Sequence, residues 1–179
     1  MDRRINLLIL CIVVFIIVLP LQANSERDKD RETTLLNQEE IFAFLEDAFS
    51  AQVSLSEVER SLEGVKEVLF PYFSDDYIDM FIKENVVEEN GKFFTLGSDF
   101  ARYYIPFYTY SNQTKVVQLN DSVFVVEFFP ASTEGPVTYD DHYVALELKS
   151  ENTGWKIQAI QNDNLPREVL EKANFADSL

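Results

Sequence analysis

The chain changes its hydrophobic period once, and that change limits the folds open to it. Up to Asn85 the apolar residues recur at helical spacing; beyond the turn dipeptide Asn90-Gly91 they alternate. From Gln38 to about Ser50, Ile41, Leu45 and Ala48 form one stripe flanked by Phe42, Phe44 and Phe49, which predicts a first helix. Ser56 followed by Glu59 has the capping-box pattern, and Val58, Leu62, Val65 and Leu69 then recur at i, i+4, i+7 and i+11, giving a second helix that Pro71 ends. Ser74 with Asp75-Asp76 reads as an N-cap and acidic first turn for a third helix through Ile78, Phe81 and Ile82, stopping near Asn85.

The second half reads as strands. Short ones are expected near 93–96, 103–108 and 114–119. Ser122–Phe129, Tyr139–Lys149 and Trp155–Asn162, rich in β-branched and aromatic residues, are the stronger ones. Asn120-Asp121 and Glu151–Gly154 supply hairpin turns, and 130–136 a longer loop. Helices followed by an antiparallel meander define an α+β fold, with the N-terminal helices packed on one face of a curved antiparallel sheet. We therefore place one α+β domain at 37–163 and a C-terminal tail at 164–179, with a short helix around Pro166–Ala173.

The first 23 residues belong to no such domain. Arg3 and Arg4 precede an uninterrupted apolar run from Leu7 to Leu19, which Pro20 and Leu21 extend; Leu21-Gln22-Ala23 offers cleavage after Ala23. A helix of about 15 residues spans roughly 22 Å, short of the ~30 Å hydrocarbon core. The segment is either a cleaved secretion signal or an N-terminal anchor whose arginines snorkel. In both cases the domain is expected outside the cell, secreted or anchored on the outer face of the cytoplasmic membrane. Residues 24–36 (NSERDKDRETTLL) are charged and read as a flexible linker.

Cysteine and charge exclude much chemistry. Cys11 is the sole cysteine and lies within the apolar run without the small residues lipidation needs, so the domain has no thiol, disulfide or cysteine metal site. A cysteine-free exported domain fits a Gram-positive bacterium. Beyond residue 23 there remain 30 acidic and 13 basic residues, a formal net charge of −17. That argues against nucleic acid or anionic lipid as partner, leaving the membrane only through the N-terminal segment, and admits a protein, peptide or envelope component. Asp75-Asp76, Glu88-Glu89 and Asp140-Asp141 lack the spacing of a calcium loop. No phosphate loop, zinc cluster or serine elbow is present either, so neither cofactor nor metal is expected.

The element order resembles the cystatin-like or NTF2-like α+β cone. Phe70–Tyr77 (FPYFSDDY) and Glu88–Phe100 (EENGKFFTLGSDF) are also similar to an uncharacterised family of exported bacillus proteins, over roughly 38–163. That family implies no activity. The cone implies a range: isomerases, hydrolases, ligand binders and assembly modules, commonly homodimers through the sheet. Fold alone does not choose among them.

Three groups of residues are candidates for a site. His142, the only histidine, shares a strand face with Asp140, Val144, Leu146 and Leu148, and the cone resemblance offers Asp140 with His142 as an acid/base pair. Glu127 interrupts a strand apolar on both faces and is expected semi-buried and paired with Lys156 or Arg102: a structural ion pair or a rim position, with a catalytic base as the alternative. The run from Tyr103 to Tyr110 (YYIPFYTY), with Tyr103, Tyr104, Phe107, Tyr108 and Tyr110, reads as a contact surface or pocket lining, or as an edge strand filling the cone. The chain is accordingly expected to be an extracytoplasmic, non-enzymatic binding domain; the alternative is a small-molecule enzyme or binder of the NTF2-like type.

Overall fold

A computed structural model describes residues 37–97, 101–133, 138–162 and 164–175. The signal or anchor, cleavage after Ala23 and the 24–36 linker lie outside the described residues. α1 (Gln38–Ser54) opens on a reciprocal capping box: the Glu40 amide donates to Asn37 Oδ1 at 2.9 Å and the Asn37 amide to Glu40 Oε2 at 2.8 Å. Its buried stripe is Ile41, Leu45, Ala48 and Gln52, one turn longer than the apolar pattern predicts, because the last buried member is polar.

The expected start of the second helix is corrected. α2 spans Leu62–Leu69, with Ser61 as its N-cap accepting from the Gly64 amide at 3.1 Å. Ser56 instead donates to the Val53 carbonyl in the turn closing α1, and Val58 is 56% exposed. Only Val65 and Leu69 of the four-residue stripe are buried. Arg60 pairs its backbone with Phe93 there, which fixes an extended residue just before the cap. α3 (Asp75–Asn85) is capped by Ser74 and buries Ile78 and Phe81 as the sequence predicts; Tyr77 is buried with them, while Ile82 is only half-buried.

The strand expected near 93–96 forms, and Val86–Glu89, for which no strand was expected, joins it in a hairpin: β1 (Val86–Glu89) pairs with β2 (Lys92–Thr95). Asn90 and Gly91, at φ 53° and 74°, adopt the left-handed conformation this tight turn demands. Residues 103–108 form no strand. They belong to an irregular segment packed under the helices, with Tyr103 and Tyr110 both at positive φ. β3 (Lys115–Leu119), β4 (Ser122–Phe129), β5 (His142–Glu151) and β6 (Gly154–Asn162) then make an antiparallel sheet in sequence order. α4 (Arg167–Lys172) follows.

Both faces of the sheet are covered. Val123, Val125, Val144, Leu146, Leu148 and Ile157 pack beneath α1–α3 and the irregular segment. Val117, Phe124, Val126, Tyr143 and Ala145 face the other way, onto Val169, Leu170 and Ala173 of the α4 region. β4 is thus apolar on both sides, as its sequence predicts.

Candidate functional site

The irregular segment after β2 crosses the interior, and a buried backbone without a ladder needs partners from elsewhere. Side chains from three elements supply them. Asn85 Nδ2 donates to the Arg102 carbonyl at 2.8 Å. Gln52, fully buried on α1, donates from Nε2 to the Tyr103 carbonyl at 2.6 Å and accepts the Ile105 amide on Oε1 at 2.9 Å. The Tyr77 hydroxyl of α3 donates to the same Tyr103 carbonyl at 2.8 Å.

Glu127 secures the far end. Only 2% exposed, its carboxylate accepts the Thr109 amide on both oxygens at 3.1 and 3.0 Å, the Thr109 hydroxyl at 3.1 Å, and a short bond from the Thr114 hydroxyl. The expected ion pair is corrected: among the described residues no cation pairs with Glu127. Lys156 lies elsewhere, buried, donating to the Phe70 carbonyl with its ammonium 4.2 Å over the Phe70 ring. Arg102 meets Asn85 through its backbone. Three neutral donors surround the carboxylate as the cation was expected to do, and they tie it to the segment rather than leaving it open to a reactant.

Burial sorts the aromatic run. Tyr104, Ile105 and Tyr108 are core; Tyr103 and Tyr110 are half-buried; Phe107 stands 68% exposed. The Tyr108 hydroxyl donates to the Val125 and Val144 carbonyls at 3.1 and 3.3 Å. Burial pushes the Tyr77 and Tyr108 phenols well above their ordinary range, with neighbouring tyrosines adding to it, and for Tyr108 also Glu127. Burial, then Glu46 and Glu127, raise Tyr110 to about 12. The Tyr104 hydroxyl and Thr95 Oγ1 are both buried and face each other, too loosely for a full hydrogen bond.

The structure brings Asp140 and His142 together, but through the wrong atoms for an acid/base dyad. His142 Nδ1 lies 2.8 Å from the Asp140 backbone carbonyl, and Asp140 is exposed. The His142 ring stacks on Phe129 at 5.5 Å and meets Tyr139 edge-on at 5.1 Å. Val144, Leu146 and Leu148 do line the core face as expected, while His142 sits at its margin. The Asp141 carboxylate accepts the Ala131 amide at 2.6 Å and so braces the loop. The grooves beside α2 contain none of Asp140, His142 and Glu127. One of about 600 Å³ is walled by Glu63, Glu67, Asp75 and Asp79 over Phe70 and Ile78. Lys66 bridges to Asp79 across it at 2.9 Å. Among the described residues no cluster of three or more metal-ligating side chains occurs.

Sequence reasoning missed Gln52 and Tyr77. Gln52 carries a legible signal, since a polar residue closes an otherwise apolar helical stripe. Tyr77 carries none, because its hydroxyl's use depends on where the segment runs.

These features define the class: an α+β domain whose four-stranded sheet and three helices enclose an irregular aromatic segment clamped by side chains. The model of a family described as "Protein of unknown function (DUF3993)" matches residues 37–129, and the chain belongs to that family. The match runs from the α1 cap to the end of β4, so it contains the whole aromatic segment with Gln52, Tyr77, Asn85 and Glu127. No curated protein and no solved structure matches the chain.

Proposed function

We propose that this is an extracytoplasmic, non-enzymatic interaction domain of the cystatin-like or NTF2-like cone type, one of a family of exported bacillus proteins, and that Tyr103–Tyr110 carries its contact surface. One observation supports this above the others. Phe107 projects into solvent from a segment whose backbone is fixed on either side of it, by Gln52 and Tyr77 before and by Glu127 after. A rigidly mounted exposed ring loses little entropy on binding, the property that makes such residues anchors in interfaces. The acid/base alternative draws less support, since Glu127 is engaged by three donor groups and His142 by a backbone carbonyl. α4 occupies part of the sheet face that a cone-type dimer would use.

The test is affinity capture from cell envelopes with the purified protein and with Phe107→Ser, reading captured proteins and small molecules by mass spectrometry. We expect a component retained by the first and lost by the second; identical captures sink the reading. The mass of the exported protein reports whether cleavage follows Ala23.

A further inference from the structure

α1 and the aromatic segment meet along one line. Phe42, Glu46 and Phe49 stand at i, i+4 and i+7 and share one face of α1. The Phe42 ring meets Tyr110 at 5.2 Å and the Phe49 ring meets Phe107 at 5.4 Å, nearly edge to face. Phe107 is the exposed member; Phe42, Phe49 and Tyr110 are half-buried around it, and Glu46 is exposed between them. The result is an aromatic strip with a carboxylate set into it.

Its charge has one sign. Neither α1 nor residues 103–114 contains Lys or Arg, while α1 carries Glu39, Glu40, Glu46 and Asp47. Glu46 enters no ion pair among the described residues, and its field reaches Tyr110, where it adds to burial in raising the phenol. The C-terminal end of α1 already has its cation, since Arg60 Nη1 donates to the Ser54 carbonyl at 3.0 Å, so Glu46 is the charge left to meet a partner. Ring faces and carboxylate therefore both favour a cation.

We propose that this strip binds a basic peptide segment, an Arg or Lys side chain lying against Phe107 and Phe49 with its charge met by Glu46. The proposal rests on the reading of Tyr103–Tyr110 as the contact surface and adds the chemistry of the partner. The same carboxylates repel an acidic segment or an anionic lipid surface.

The experiment is fluorescence anisotropy of a labelled nonapeptide of alternating Arg and Gly, titrated with the full chain as processed during export, at near-physiological salt. Phe107→Ser and Glu46→Gln each weaken binding roughly tenfold, and Phe107→Leu, which keeps apolar bulk but removes the ring face and so guards against misfolding, by roughly fivefold. Glu84→Gln, the same charge change on the exposed face of α3, alters it less than about twofold. Absence of wild-type binding overturns the proposal. So does a Phe107→Leu protein that binds like wild type, or a Glu84→Gln protein as impaired as Glu46→Gln, since the peptide then reads net charge alone. Envelope capture with Glu46→Lys separates the two readings: capture lost in Phe107→Ser but kept in Glu46→Lys leaves the contact surface standing and removes the basic partner.

Discussion

Gln52→Leu tests whether the aromatic segment is held by the clamp described above. Leucine keeps most of the volume and removes both hydrogen bonds. The Ile105 amide, on a residue 1% exposed, is left with no acceptor, at a cost of about 1–3 kcal/mol. The Tyr103 carbonyl still accepts from Tyr77, so its share is only about 0.5–1.5 kcal/mol. The combined loss is about 2–4 kcal/mol, which moves a urea midpoint by about 1–2 M at an ordinary slope. Trp155, the sole tryptophan, half-buried on β6, gives the fluorescence signal. Tyr77→Phe alone costs about 1 kcal/mol because Gln52 keeps the same carbonyl bonded. In the double variant that carbonyl loses both donors, so the two changes together exceed their sum by about 1 kcal/mol. A Gln52→Leu protein within about 0.5 kcal/mol of wild type, or strict additivity in the cycle, refutes the clamp.

The remaining predictions probe other contacts. Ser61→Ala lowers stability by about 1 kcal/mol and Ser56→Ala by less than about 0.5, measured by urea unfolding, since only Ser61 caps α2. Glu127→Gln turns an acceptor into a partial donor facing three donor groups, and costs about 2–3 kcal/mol in the same assay. Phe107→Ser leaves thermal unfolding within about 0.5 kcal/mol of wild type, because the ring is already mostly solvated. At high pH the folded chain holds the protons of Tyr77, Tyr108 and Tyr110 more tightly than the unfolded chain does. Their contribution is therefore complete below the ordinary phenol value near 10 and is lost as pH climbs, through about 12 for Tyr110. Phenolate absorbance should show a late group that ionises together with loss of the native circular dichroism.

The sheet was legible because its strands bury both faces and announce themselves by composition; Ser122–Phe129 ends where its β-branched and aromatic run ends. The α+β order, the Ser74 cap and the Asn90-Gly91 turn were legible for the same local reasons. The start of α2 was not, since Ser56–Glu59 and Ser61–Gly64 compete as caps and the backbone pairing of Arg60 with Phe93 decides between them. Residues 103–108 alternate like a strand, yet the hydrogen bonds that hold them come from Gln52, far away in sequence. Glu127 was readable as buried but not by what, because hydroxyl donors from Thr109 and Thr114 leave no charge pattern in the chain.

One consequence follows from how the four-stranded sheet ends at its sides. Along β6 the stretch Tyr72–Ser74 lies parallel to it, the Ile157 amide donating to the Tyr72 carbonyl at 2.8 Å and the Ser74 amide to the Ile157 carbonyl at 3.1 Å. Along β3 the Lys172 ammonium takes the Gln118 carbonyl at 3.2 Å. The β6 border is thus interrupted near its middle and the β3 border near its C-terminal end, which discourages another chain from adding itself as a fifth strand. Self-association into ribbons is blunted by the same stroke. Both borders of the sheet therefore offer a neighbour side chains more readily than a free strand edge.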